Sequence, residues 1–153
     1  MPVRTWSNEH FSELSWHDNH VHGFVIRAGA HGAGELELDL DFILEWLPSG
    51  GTRCMFRMAP ATLTFHEVTD LDVALSYTSP SAALGPFSLQ SIGREPFVHP
   101  NGHASFRWNL AVNWPSGSIT FISSGFTQVL RAEPVESSEQ YLTPTQRGLA
   151  PFR

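Results

Sequence analysis

Residues 34–46 read GELELDLDFILEW, and over the first nine of them leucine or phenylalanine alternates with a carboxylate. Side chains of a β-strand point to opposite faces with period two, so Leu36, Leu38, Leu40 and Phe42 share one face while Glu35, Glu37, Asp39 and Asp41 share the other. The first face suits a core, and the second carries four charges.

The same alternation recurs on both sides of this stretch. Residues 19–27 (NHVHGFVIR) form a strand ahead of it, and the glycines between residues 28 and 34 make a loop long enough to reverse the chain. After Pro48-Ser49-Gly50-Gly51, residues 52–58 set Cys54, Phe56 and Met58 against Arg53, Met55 and Arg57, and Pro60 ends that strand. Residues 61–68 place Ala61, Leu63 and Phe65 inward, and Thr69-Asp70 leads into residues 71–77. Residues 87–95 form a weaker strand with a bulge expected at Gly93. Residues 104–114 carry Phe106, Trp108, Leu110, Val112 and Trp114 on one face, and Pro115-Ser116-Gly117 turns them into residues 118–123. Gly125 bends the chain before a last strand, 126–131.

Beyond Glu133 the character changes. Pro134, Pro144 and Pro151 break any strand, and Thr143-Pro144 has the form of a helix cap followed by proline in the first turn. The expected organisation is one β-rich domain over residues 1–133 and a proline-containing tail over 134–153 that holds a short helix or arm. The fold class is all-β or β-dominated α+β, with about eight antiparallel strands forming a rolled sheet or a sandwich. The helical crossovers required by parallel strands are missing.

Composition narrows the function. With 153 residues, 41% of them hydrophobic, the chain is the right size for one domain with a substantial core. The net charge is −6 and all nine basic residues are arginine. Nothing resembles a basic patch, so nucleic acid is excluded as a partner and a basic protein would be attracted. The single cysteine, Cys54, forms no intrachain disulfide and alternates with buried-type residues. No apolar run approaches the ~20 residues of a membrane span, and the N-terminus has no signal-type apolar region, which makes a cytoplasmic location the default expectation. No nucleophile motif, phosphate loop or cofactor-binding pattern is present, and no cofactor is expected. The reading therefore leans away from an enzyme.

Two sets of residues are candidates for a site. His17, Asp18, His20, His22 and His66 have side chains that ligate zinc, iron or manganese, and His20 and His22 would lie roughly 7 Å apart on one strand face. Whether they meet Asp39 and Asp41 depends on register. If paired residue numbers sum to an even value, His20 and His22 fall on the leucine side; if odd, they join the aspartates. The even register buries Phe24 and Ile26, which burial at ~25 cal/mol per Å² favours, so a site shared with Asp39 and Asp41 requires a bulge. The second set is the acidic face itself, Glu35, Glu37, Asp39 and Asp41. It reads as a solvated face partly paired with Arg53 and Arg57, or as a docking surface for a cationic protein.

The triplet Trp16-His17-Asp18 ahead of an apolar strand, followed by the L-x-L-D-x-D pattern of Leu36 to Asp41, resembles a group of small bacterial domains of unknown function. It is also similar to bacterial immunity-protein-like domains, with a looser match at Gly125-Phe126-Thr127-Gln128. That resemblance transfers no catalytic residue. The net charge, the carboxylate face and the absence of a catalytic motif point to a non-enzymatic protein-binding module of immunity-protein type whose acidic surface recognises a basic partner. The alternatives are a metal- or small-ligand-binding β domain using the histidines, and a domain that forms homodimers through edge strands or the tail.

Overall fold

The computed structural model describes residues 5–48, 54–78 and 83–148. Nine strands are formed among them: β1 (Thr5–Ser7), β2 (His20–Ala28), β3 (Gly34–Pro48), β4 (Cys54–Leu75), β5 (Phe87–Val98), β6 (Ala104–Trp114), β7 (Gly117–Ser123), β8 (Gly125–Leu130) and β9 (Val135–Ser137). A 3-10 turn follows β1, and one short helix, α1 (Pro144–Arg147), lies in the tail. Every pairing is antiparallel. Among the described residues no helix is long and apolar enough to cross a membrane.

The pairings close on themselves. β3 pairs β4, the far end of β4 pairs β7, and the path returns through β6, β5 and β2 to β3. The rolled sheet expected from the sequence thus closes into a small barrel, with the outer edges of β2 and β5 left without ladder partners beyond one short seam among the described residues. Its narrowest seam joins β2 to β5 through His20 opposite Ser88 and Val21 opposite Phe87. Two backbone bonds beyond the ladder extend it: Asp18 N–H donates to Leu89 O at 2.8 Å, and Leu89 N–H to Asn19 O at 2.9 Å.

The barrel interior is packed. Leu38, Leu40, Leu63, Leu89, Trp108 and Leu110 are fully buried there, with Phe65, Phe121 and Phe126 between them. Phe65 and Trp108 meet edge-on at 5.0 Å between centroids, a favoured aromatic geometry. Among the described residues, side chains fill the interior of this six-stranded barrel.

β4 departs from the sequence reading. Three separate strands were expected, ended by Pro60 and by Thr69-Asp70, yet Cys54–Leu75 is one strand of 22 residues. Pro60 is tolerated because its carbonyl accepts from Arg131 N at 2.8 Å, and a residue's N–H side faces the same edge as its C=O. On that edge the missing donor falls between β9, which pairs residues 56–58, and β8, which pairs residues 61–66. At the other expected break the strand bends: Glu67 and Asp70 take left-handed φ values of 52° and 55°, and the register shifts between Thr69 and Asp72. The bend carries β4 from its partner β3 to its partner β7.

The tail also differs in part. Val135–Ser137 forms a short strand despite Pro134, because it adds to the edge of β4 opposite Phe56, Arg57 and Met58. The helix is where Thr143-Pro144 places it, with Thr143 Oγ1 accepting from Gln146 N and Pro144 in the first turn. The expectation for Arg53 and the last five residues of the tail lie outside the described residues, as does the side chain of Cys54.

Candidate functional site

The register of β2 against β3 decides the fate of the histidines, and it is both even and odd. Phe24 pairs Leu38 and Ile26 pairs Leu36, sums of 62, whereas Val21 pairs Leu40 and His20 pairs Asp41, sums of 61. The difference is a bulge at His22. One extra residue reverses the alternation, so both Val21 and Phe24 pack against the core, and a single register could have offered only one of them. The consequence is chemical. His22 emerges on the aspartate side, and its Nε2–H donates to Asp41 Oδ2 at 2.7 Å, since an ionised carboxylate only accepts.

Asp39 and Asp41 are not solvated. Asp41 is 0% and Asp39 4% exposed, which overturns the open acidic face for these two residues. The cover is the C-terminal segment. Leu142 N–H donates to Asp41 Oδ2 at 2.9 Å, the Arg147 guanidinium forks across Asp41 Oδ1 and Asp39 Oδ1, and Arg131 also donates to Asp39 Oδ1. Two carboxylates thus face two guanidinium groups, the arrangement a buried charge requires. Burial lowers the Arg131 pKa, and the charge of Asp39 opposes that shift.

Of the expected cross-strand partners, the described one, Arg57, does not face Glu37 or Asp41. Register puts Pro60 opposite Asp41 and Thr64 opposite Glu37, while Arg57 lies opposite Glu45. Glu37 is held instead by Arg27, whose Nε and terminal nitrogen donate at 2.9 and 3.2 Å. Arg131 and Arg147 were not singled out in the sequence. The clue was compositional: few cations were available for four carboxylates, and three of them, Arg131, Arg147 and Arg153, follow the last long strand.

The metal-candidate residues meet in pairs, His17 Nε2 lying 3.3 Å from Asp18 Oδ2 and His22 on Asp41, but not as one set. His66 bonds Glu35 Oε2 and Thr127 Oγ1, each at 2.8 Å, away from the other histidines. His17 Nδ1 lies 3.0 Å from Gln90 O, and His20 Nδ1 3.1 Å from Asp18 O. Asp18, with φ of 62°, forms a turn in which Asn19 N–H donates to Trp16 O, and its carboxylate accepts from Asn113 and Gln140. The Trp-His-Asp triplet therefore ties β2, β5, β6 and the tail together. Among the described residues, no three His, Cys, Asp or Glu side chains converge as a metal-ligand set. The His22–Asp41 pair has the form of a base and its orienter, but both Asp41 oxygens are occupied and the carboxylate is sealed from solvent.

His20 is half-buried beneath Tyr141, their rings 5.3 Å apart. Burial lowers its pKa from 6.5, against the raising effects of the Asp18 and Gln140 backbone and of Asp41.

A second feature opens at one end of the barrel. The β2–β3 loop and the bend of β4 enclose a cleft of about 320 Å³ floored by Ile26, Leu36, Val68 and Leu71, with Glu35 and Asp70 on its wall. Ile26 is 64% exposed although it pairs the buried Leu36, because the barrel ends there. Gly34 is required at this edge: a Cβ on it would stand 2.4 Å from Arg27 O. Comparison with protein-family models, curated proteins and solved structures returned no match.

Proposed function

We propose that this protein is a non-enzymatic binding module of immunity-protein type that captures a basic protein partner, in keeping with its net charge of −6, and that the contact surface is the cleft at the barrel end. One observation carries this reading: an open apolar floor, including the exposed Ile26, is bordered by Glu35 and Asp70, with Glu67 and Asp72 exposed on the same bend, while Arg27 of the same lining is held by Glu37 and Glu35 also bonds His66. An apolar floor inside an acidic rim suits a segment that buries an aliphatic or aromatic side chain between arginines or lysines. The left-handed Glu67 and Asp70 add to it, since strained backbone concentrates at functional surfaces. The docking surface thus moves from the Asp39 and Asp41 wall to the barrel mouth, retaining Glu35 from the original set.

Affinity capture on the immobilised protein tests this, followed by titration with each purified captured protein. Ile26→Asp is expected to weaken a true partner at least tenfold. Glu35→Gln with Asp70→Asn is expected to weaken it threefold or more, with a smaller effect at high salt. A basic partner bound equally well by both variants would refute the assignment.

A further inference from the structure

The groove that buries Asp39 and Asp41 is independent of the barrel-end cleft, and its occupant is unusual. Ile43, Phe56 and Met58 form a second apolar cluster outside the main core, completed from the tail by the buried Leu142, with the half-buried Val135 of β9 packed against it. Beside that cluster stand the two carboxylates that receive Arg147. Leu142 is 1% exposed, while its neighbours Tyr141, Thr143, Pro144, Thr145 and Gln146 are all exposed. The segment holds the barrel through Leu142 and Arg147, supported by Gln140 on Asp18 and Tyr141 against His20. Its backbone needs little else. Thr143 and Gln146 cap each other reciprocally, Gln146 Oε1 accepting from Thr143 N at 2.9 Å and Thr143 Oγ1 from Gln146 N at 3.2 Å.

The receiving side is built without the segment. Arg131, at the end of β8, already pairs Asp39, and the bulge holds His22 on Asp41. A preorganised acidic pair beside an apolar hollow, filled by one leucine and one arginine of a self-capped peptide, has the anatomy of a peptide-recognition site.

We propose that residues 139–148 are an intramolecular ligand, and that this groove accepts in trans a partner segment carrying an aliphatic residue followed five positions later by arginine. Such a segment would displace the chain's own, placing its aliphatic side chain among Ile43, Phe56 and Met58 and its guanidinium across Asp39 and Asp41. The arginine supplies the specificity, because its planar fork meets two carboxylates at once and a lysine ammonium does not.

The test uses a fluorescein-labelled peptide of sequence EQYLTPTQRG, residues 139–148, titrated into the full-length chain and into its Leu142→Ala/Arg147→Ala variant. The variant is expected to bind at least tenfold more tightly than the unmodified chain, and a peptide carrying Arg147→Ala to lose at least tenfold. A folded variant that does not bind overturns the proposal. If the variant loses its near-ultraviolet circular dichroism, amide exchange in the unmodified chain decides. The Leu142 amide is expected to exchange at least a hundredfold faster than that of Leu63, through lifting of the segment alone. Equal protection of the two amides would make the segment an inseparable part of the fold. A dimer that Leu142→Ala abolishes would also overturn the proposal, assigning the groove to a second copy's tail.

Discussion

His22 Nε2 lies 2.7 Å from Asp41 Oδ2, across a strand pair whose even register would have set the two residues on opposite faces. One inserted residue in β2 brings them together. The contact is therefore a by-product of a packing requirement: Val21 and Phe24 are three apart, an odd separation, and both face the core. An ideal strand turns residues three apart to opposite faces, and the bulge satisfies both at the cost of one unpaired position.

Deleting His22 should consequently cost little more than replacing it. The deletion leaves Val21 and Phe24 two apart, an even separation that a regular strand turns to one face, so both stay inward and the bond to Asp41 is what is lost. His22→Ala keeps the bulge and loses the same bond, at a cost of about 1–2 kcal/mol for a hydrogen bond to a charged group. Urea unfolding midpoints compare the two, and a much larger loss on deletion would show that the bulge itself, and not only the bond, is required.

The two guanidinium groups on the aspartates should differ in weight. Arg131 follows β8 in the barrel body, and Arg131→Met is expected to lower unfolding stability by about 2–3 kcal/mol by leaving buried charge under-compensated. Arg147→Met is expected to cost about 1 kcal/mol or less, since the segment can lift and let water reach the carboxylates. Arg27→Ala, on the surface pair with Glu37, should leave the midpoint nearly unchanged. Denaturant titration of the three variants checks the order.

Trp16 donates its indole N–H to Gln128 Oε1 at 2.8 Å, and both residues are buried. Trp16→Phe strands the amide oxygen and should destabilise by about 1–3 kcal/mol beyond the lost packing. The pair Trp16→Phe/Gln128→Leu should recover part of that loss. A double-mutant cycle with no coupling would mean that the bond contributes nothing net.

Acidification should act through His20. Its pKa in the fold lies below the 6.5 of the unfolded chain, so between the two values the unfolded state holds more protons. Stability is then complete above about pH 6.5 and declines as pH falls through that value toward the lower, folded one. The groups around the ring are His22, Asp41, Tyr141 and the backbone of Asp18 and Gln140. His20→Gln should lose less stability than the unmodified chain between pH 7.5 and 5.5, as measured by urea midpoints. Parallel losses would remove His20 from the explanation.

Much of the strand content was legible because burial writes period two into the chain. Leu36, Leu38, Leu40 and Phe42 pack inward as their alternation predicts, and so do Ala61, Leu63 and Phe65. Trp108, Leu110 and Val112 are buried likewise, and the Thr143-Pro144 cap lies where its residue types place it. The breaks were less legible. Pro60 marks a strand end only if its missing donor faces a partner, and that depends on which edge of β4 is occupied at that point.

The alternation of residues 34–46 by itself determined a strand with one apolar and one acidic face, because local sterics alone fix where successive side chains point. What those carboxylates meet was decided by tertiary structure. Glu37 finds Arg27 on the neighbouring strand, Glu35 finds His66, and Asp39 and Asp41 disappear beneath Leu142 and Arg147, about a hundred residues along the chain. A charge can be buried wherever a partner of opposite sign is delivered to it, and the delivery depends on barrel closure and the path of the tail, neither of which leaves a period in the sequence.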